Sequence, residues 1–224
     1  MQDSMKACVA ELVGTFALIF IGAGSICLNE YTGKAVGLLG IAVAHGLILS
    51  IAVSSTMNIS GGHLNPAVTF GFLITGKMER NLATRYIVSQ LVGAAVAGFF
   101  LRTIFAEHVW RGVGLGTPDL APDVTTGIGI FLEAILTFLL VFAVWGTAVD
   151  ERAPKIGGFG IGLTVCADIL MAGPLTGDSM NPARTFGPAV ASGHWSNHLV
   201  YWIGPLLGAA AAAILYNSVL LRKR

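Results

Sequence analysis

The chain has 224 residues, 54% hydrophobic and 11% charged, with a formal net charge of +1 and a mean hydropathy of +0.76. Soluble domains carry about 25% charged residues, so this is a membrane-protein composition, and its charge balance provides no basic face for nucleic acid. The three cysteines, Cys8, Cys27 and Cys166, stand in or beside apolar runs without CxxC or metal-ligand spacing and read as small buried hydrophobes.

Six apolar stretches are long enough to cross a bilayer, which takes about 17–25 helical residues: 8–28, 35–54, 81–105, 126–149, 156–175 and 199–221. The first follows only Lys6 and carries no cleavage site, so it reads as a retained helix rather than a signal peptide. Two shorter apolar pieces, 65–76 and 181–192, cannot span, and each follows a lead of small residues. Non-helical backbone survives at membrane depth only where it is buried in protein or lines a watery cavity. These pieces therefore point to a pore. With no linker or low-complexity segment, the sequence predicts one all-α membrane domain over 1–224: six transmembrane helices plus two re-entrant half-helices.

The two halves, about 7–105 and 126–221, repeat. Glu11-Leu-Val-Gly-Thr-Phe in the first run matches Glu133-Ala-Ile-Leu-Thr-Phe in the fourth, and Tyr86, Gly93 and Ala94 match Tyr201, Gly208 and Ala209. Each half carries one copy of a tripeptide, Asn65-Pro66-Ala67 and Asn181-Pro182-Ala183. Asn is a favoured helix N-cap, and Pro at the first helical position sacrifices no hydrogen bond. Each tripeptide thus predicts a half-helix whose start points unpaired N–H groups and a positive dipole end inward. Three spans per half is an odd number, so the second half is inserted upside down, and inverted repeats place a site where discontinuous helices meet.

If the N-terminus is cytoplasmic, Lys6, Lys77, Arg80, Arg85, Arg152, Lys155, Arg222, Lys223 and Arg224 fall inside, and Lys34, Arg102 and Arg111 outside. That asymmetry places both termini in the cytoplasm, and the plasma membrane is the expected location.

The doubled Asn-Pro-Ala in matched six-span halves resembles the aquaporin (major intrinsic protein) family over about residues 7–221. The resemblance implies a passive water channel that excludes protons and ions, a homotetramer in the lipid bilayer, and no cofactor or metal. It also implies an outer filter at His45, Ile169, Asp178 and Arg184. Histidine with isoleucine and arginine is similar to the plant tonoplast branch, where the third position is small and uncharged. Asp178 departs from that pattern. Its carboxylate either neutralises Arg184 or locks its rotamer, and the expectation here is a hydrogen bond to Arg184 or His45. Thr185, Ala189, Tyr201 and Trp202 fit the water branch rather than glycerol facilitators, and His63 resembles the family's inner-vestibule histidine.

Arginine is costly in hydrocarbon, so Arg184 is expected to face a cavity and rest on carbonyls or a carboxylate. Glu11 and Glu133 read either as a proton relay or, more in keeping with their placement, as acceptors for the N–H groups of the re-entrant loops. Asp168 has no evident role. No nucleophile–base pair, phosphate-cradling glycine motif or His/Cys cluster points to an enzyme. A glycerol-, urea- or ammonia-permeable facilitator, an ion-coupled secondary transporter built on the same buried acids, and a closed or adhesive relative stand as the alternatives.

Overall fold

The computed structural model describes residues 2–154 and 156–221. Lys155, Arg222, Lys223 and Arg224, four of the cations expected on the cytoplasmic side, lie outside the described residues. Among the described residues nine α-helices follow in order: α1 (Gln2–Tyr31), α2 (Gly37–Ser60), α3 (Pro66–Ile74), α4 (Arg80–Ile104), α5 (Glu107–Gly112), α6 (Thr126–Val144), α7 (Phe159–Thr176), α8 (Pro182–Ser192) and α9 (Val200–Leu215). Single π-turns, Trp145–Val149 and Tyr216–Leu220, extend α6 and α9 to spanning length. Six of these helices are long and apolar enough to cross a membrane, and α3 and α8 are the two short ones.

Two differences from the sequence expectation have local causes. Helix α2 runs to Ser60 rather than ending near residue 54, because no breaker intervenes before Gly61. That glycine turns left-handed at φ 89° and returns its N–H to Met57 O at 3.1 Å. The short helix α5 and the tight turn Gly114–Gly116 fold a connection that carried no apolar periodicity.

The repeat governs the packing. Helix α1 packs on α2 and α4, α6 packs on α7 and α9, and α2 meets α7 along the seam between the halves. Each half-helix packs chiefly on a long helix of the other half, α3 on α9 and α8 on α4. Close approach is set by glycines at matched positions. A Cβ on Gly93 would sit 2.2 Å from Leu12 O, and one on Gly208 would sit 2.0 Å from Ala134 O. Membrane helices have little hydrophobic drive to associate and rely on such small-residue contacts. The outer surface is apolar, with Leu39, Phe99, Phe131, Leu163 and Leu207 exposed, as a lipid-facing wall requires.

Candidate functional site

The site is built on two leads that climb back into the bundle. In the first, Leu64 is held at φ 50°, and in the second Met180 is held at φ 51°. A left-handed non-glycine residue costs roughly 1–2 kcal/mol, so something must hold each one. Glu11 does so in the first half: its carboxylate accepts from the N–H groups of His63 (2.9 Å) and Leu64 (2.6 Å), from Ser60 Oγ and from Gln90 Nε2. Glu133 does the same in the second, accepting from Ser179 N (3.0 Å), Met180 N (2.8 Å) and Thr176 Oγ1. Both glutamates are fully buried. Tyr86 and Tyr201 complete the mirror by donating to Ser60 O and Thr176 O. Buried loop backbone is thus satisfied by side chains where no helix can do it.

Each lead ends at its asparagine. Asn65 caps α3, its Oδ1 accepting from Ala67 N at 2.8 Å, and Asn181 caps α8, accepting from Ala183 N and Arg184 N. The amide nitrogens reach across the pseudo-symmetry axis. Asn65 Nδ2 donates to Met180 O (2.8 Å) and Asn181 Nδ2 donates to Leu64 O (2.9 Å). An amide NH2 has two donors, so each keeps one N–H after this crossing. The left-handed Leu64 and Met180 therefore also aim the carbonyls that receive the opposite asparagine.

A narrow cavity runs past this point, lined by His63, Asn65, Asn181, Val68, Leu140 and Arg184. It leaves about 30 Å³ for water-sized molecules, against about 330 Å³ in the vestibule beyond, which His45, Ile169, Gly116, Gly177 and Arg184 line. Arg184 stands where the two spaces meet. Its Nη1 donates to Gly116 O at 2.6 Å, and its Nη2 lies 3.3 Å from His45 Nε2. His45 Nδ1 lies 2.9 Å from Ile41 O. That contact requires an N–H there, which leaves Nε2 free to accept from the guanidinium. Toward the other end, His63 contacts Thr69 Oγ1 through Nδ1 (3.1 Å) and packs on Phe72.

Asp178 brings a correction. The expected hydrogen bond to Arg184 or His45 is not made: both carboxylate oxygens are buried and have no partner among the described residues. Arg184 directs its Nη groups to Gly116 O and His45 instead, while Asp178 sits at φ 45°, its own N–H bound to Thr176 Oγ1. The matching residue in the first lead is Gly62, at φ 63°. Asp168 lies buried in α7 with one unpartnered oxygen, and nothing in the structure explains it.

No side chain marks the Gly116 carbonyl as the anchor of Arg184. The signal present was the run Gly112-Val-Gly114-Leu-Gly116-Thr-Pro118, which allows the left-handed Gly114, Leu115 and Gly116.

Two half-helices meeting tip to tip inside a six-span bundle define an integral membrane protein of the re-entrant channel class. The family model for major intrinsic proteins matches residues 1–216, and the chain belongs to that family, which is one of channels rather than enzymes. It is 44% identical over 232 residues to "Probable aquaporin TIP3-2" of Arabidopsis thaliana, covering 98% of this chain and 85% of that protein. To "Aquaporin TIP2-1" of the same plant it is 42% identical over 224 residues, covering 96% and 88%. Among solved structures, the aquaglyceroporin from Plasmodium falciparum superposes with a TM-score of 0.86 at 23% identity, covering 97% of both chains. That likeness concerns the fold.

Proposed function

We propose that this chain is a passive water pore, one channel domain over residues 1–224 with inverted repeats at about 7–105 and 126–221. The observation that carries the reading is the crossed pair Asn65 and Asn181, each with one N–H bound to the opposite lead and one left for the cavity. A water at that point accepts from both amides and must turn its own hydrogens outward along the file. Proton hopping needs that water to reverse its hydrogen bonds, and the two amides oppose the reversal. Each half-helix adds roughly half a positive charge at its start, which opposes cations and protons from the same place.

His45, Ile169, Asp178 and Arg184 form the outer filter in this reading, with His63 at the inner mouth and Glu11 and Glu133 as supports of the leads. Arg184 provides a fixed positive charge and hydrogen-bond donors. The aliphatic wall at Ile169 favours passage of small neutral solutes such as urea, ammonia or glycerol as a secondary activity. No cofactor is required.

Both termini face the cytoplasm. Arg85 reaches Ser4 near one terminus and Arg152 reaches Leu220 O near the other; with Lys6, Lys77 and Arg80 these cations support the reading through the excess of cations on inner loops. Assembly as a homotetramer follows from the family resemblance, and residence in the plasma membrane completes the proposal. Osmotic shrinkage of proteoliposomes tests the reading: protein-containing vesicles must shrink faster than empty ones while holding an imposed pH gradient.

A further inference from the structure

The segment that anchors Arg184 is itself held by a titratable pair at the outer surface. Asp119 follows Gly116 by three residues, with Pro118 stiffening the link. Its Oδ2 lies 2.7 Å from His194 Nε2, and its Oδ1 accepts from Asn197 Nδ2 (2.9 Å) and from Leu120 N (2.8 Å). His194 and Asn197 belong to the loop between α8 and α9, and that loop is tied in turn through His194 N to Ser192 Oγ. On its other side the segment is pinned by Ala121 N donating to Leu175 O and by Gly177, where a Cβ would come within 2.8 Å of Pro118. Asp119, Gly116, His45 and Arg184 all line one vestibule.

We propose that Asp119, His194 and Asn197 form a pH-responsive clasp that positions the Gly116 carbonyl against Arg184 and so sets how strictly the outer filter rejects solutes larger than water. The inference rests on the water-pore reading. These are positioning residues: they act through Gly116 O and Arg184. Burial pushes the Asp119 carboxyl up, but the bonds from Asn197, Leu120 and His194 together outweigh it and hold the group below the ordinary carboxylate range. Asp119 therefore stays ionised through neutral pH, and its partner in the clasp is a histidine, the side-chain type whose ordinary charge change falls in the physiological range. The charged group in contact with His194 is Asp119 from the α5–α6 connection, and Gly114 of the same connection lies beside its ring; further off are Arg184 beyond Gly116, His198 in the turn before α9, and Glu30 beside Gly112. A protonated His194 adds a second charge to a contact whose acceptor is already ionised, converting a hydrogen bond into a hydrogen-bonded ion pair, which is stronger. Acid therefore tightens the clasp and alkali loosens it.

The test measures urea and water permeability in the same proteoliposomes by stopped flow at pH 5.5 and 8. In wild type the urea-to-water ratio should be twofold to fivefold higher at pH 8. His194→Gln keeps only an uncharged donor at every pH and should hold the pH 8 ratio with no slope. His194→Phe removes the donor and should give the high ratio with no slope, and Asp119→Asn should also lose the slope. A wild-type ratio independent of pH, urea passage at the empty-vesicle level at both pH values, or a slope surviving in His194→Phe would overturn the clasp. The wild-type profile needs no variant and decides alone if a substitution fails to fold. Wild-type vesicles that pass no more water than empty ones would overturn the pore reading instead.

Discussion

Glu133 converts an unfavourable loop into a rigid one, and its removal has a calculable consequence. Truncation to alanine leaves Ser179 N, Met180 N and Thr176 Oγ1 without their acceptor. Each buried unsatisfied donor costs about 1–3 kcal/mol, so Glu133→Ala should lower stability by roughly 3 kcal/mol or more, read as a fall in thermal unfolding temperature in detergent. Glu133→Gln keeps an acceptor oxygen and should lose less. Equal losses for the two would show that the carboxylate acts by packing alone. Asp178 offers the opposite case. Its φ of 45° and its unpartnered oxygens are both unfavourable, and Gly62 occupies the matching place. Asp178→Gly should raise stability by about 1 kcal/mol through relief of the left-handed strain, and an unchanged or lower unfolding temperature would contradict this. At Arg184, replacement by valine removes the donor to Gly116 O and the charge facing His45. The urea- or glycerol-to-water permeability ratio should then rise several-fold, and an unchanged ratio would mean that Arg184 does not stand at the narrowest point.

Helix against helix, the repeat is written in close contacts. Gly93 meets Leu12 O and Gly208 meets Ala134 O, the same contact made once per half. Either glycine replaced by leucine must push two helices apart along their length, because the obstructing atom is backbone and cannot rotate away. Gly208→Leu should abolish recovery of folded protein in mild detergent, whereas Leu207→Ala, one residue earlier and facing outward, should be recovered normally. Much at this scale was legible in the chain. The Asn-Pro starts of α3 and α8 follow from capping chemistry, and the matched glutamates marked where uncovered backbone had to be satisfied. What stayed illegible depends on contacts between distant segments. The Gly116 carbonyl carries no side chain to signal its role, and α5 has no apolar period. The clasp joins residues 75 positions apart, Asp119 and His194. Asp178 was misread for a related reason: its nearness to Arg184 in sequence said nothing of Gly116 O, which takes the guanidinium first.

At the level of the whole molecule, the fold places two oppositely inserted halves so that their half-helices end at one point, and everything proposed for function depends on that meeting. The rival of an ion-coupled transporter requires the buried acids to exchange protons or ions. Glu11 and Glu133 are instead occupied by four and three donors, respectively, of their own halves. A pore with a standing water file should also show the temperature dependence of water diffusing in water, far weaker than that of water crossing lipid. The most direct measurement is osmotic water permeability of purified protein in proteoliposomes across a range of temperatures. The account predicts shrinkage many-fold faster than in empty vesicles, with a low activation energy, no saturation and no requirement for any coupling ion. Vesicles that shrink at the empty-liposome rate, or whose added permeability keeps the steep temperature dependence of bare lipid, would contradict it.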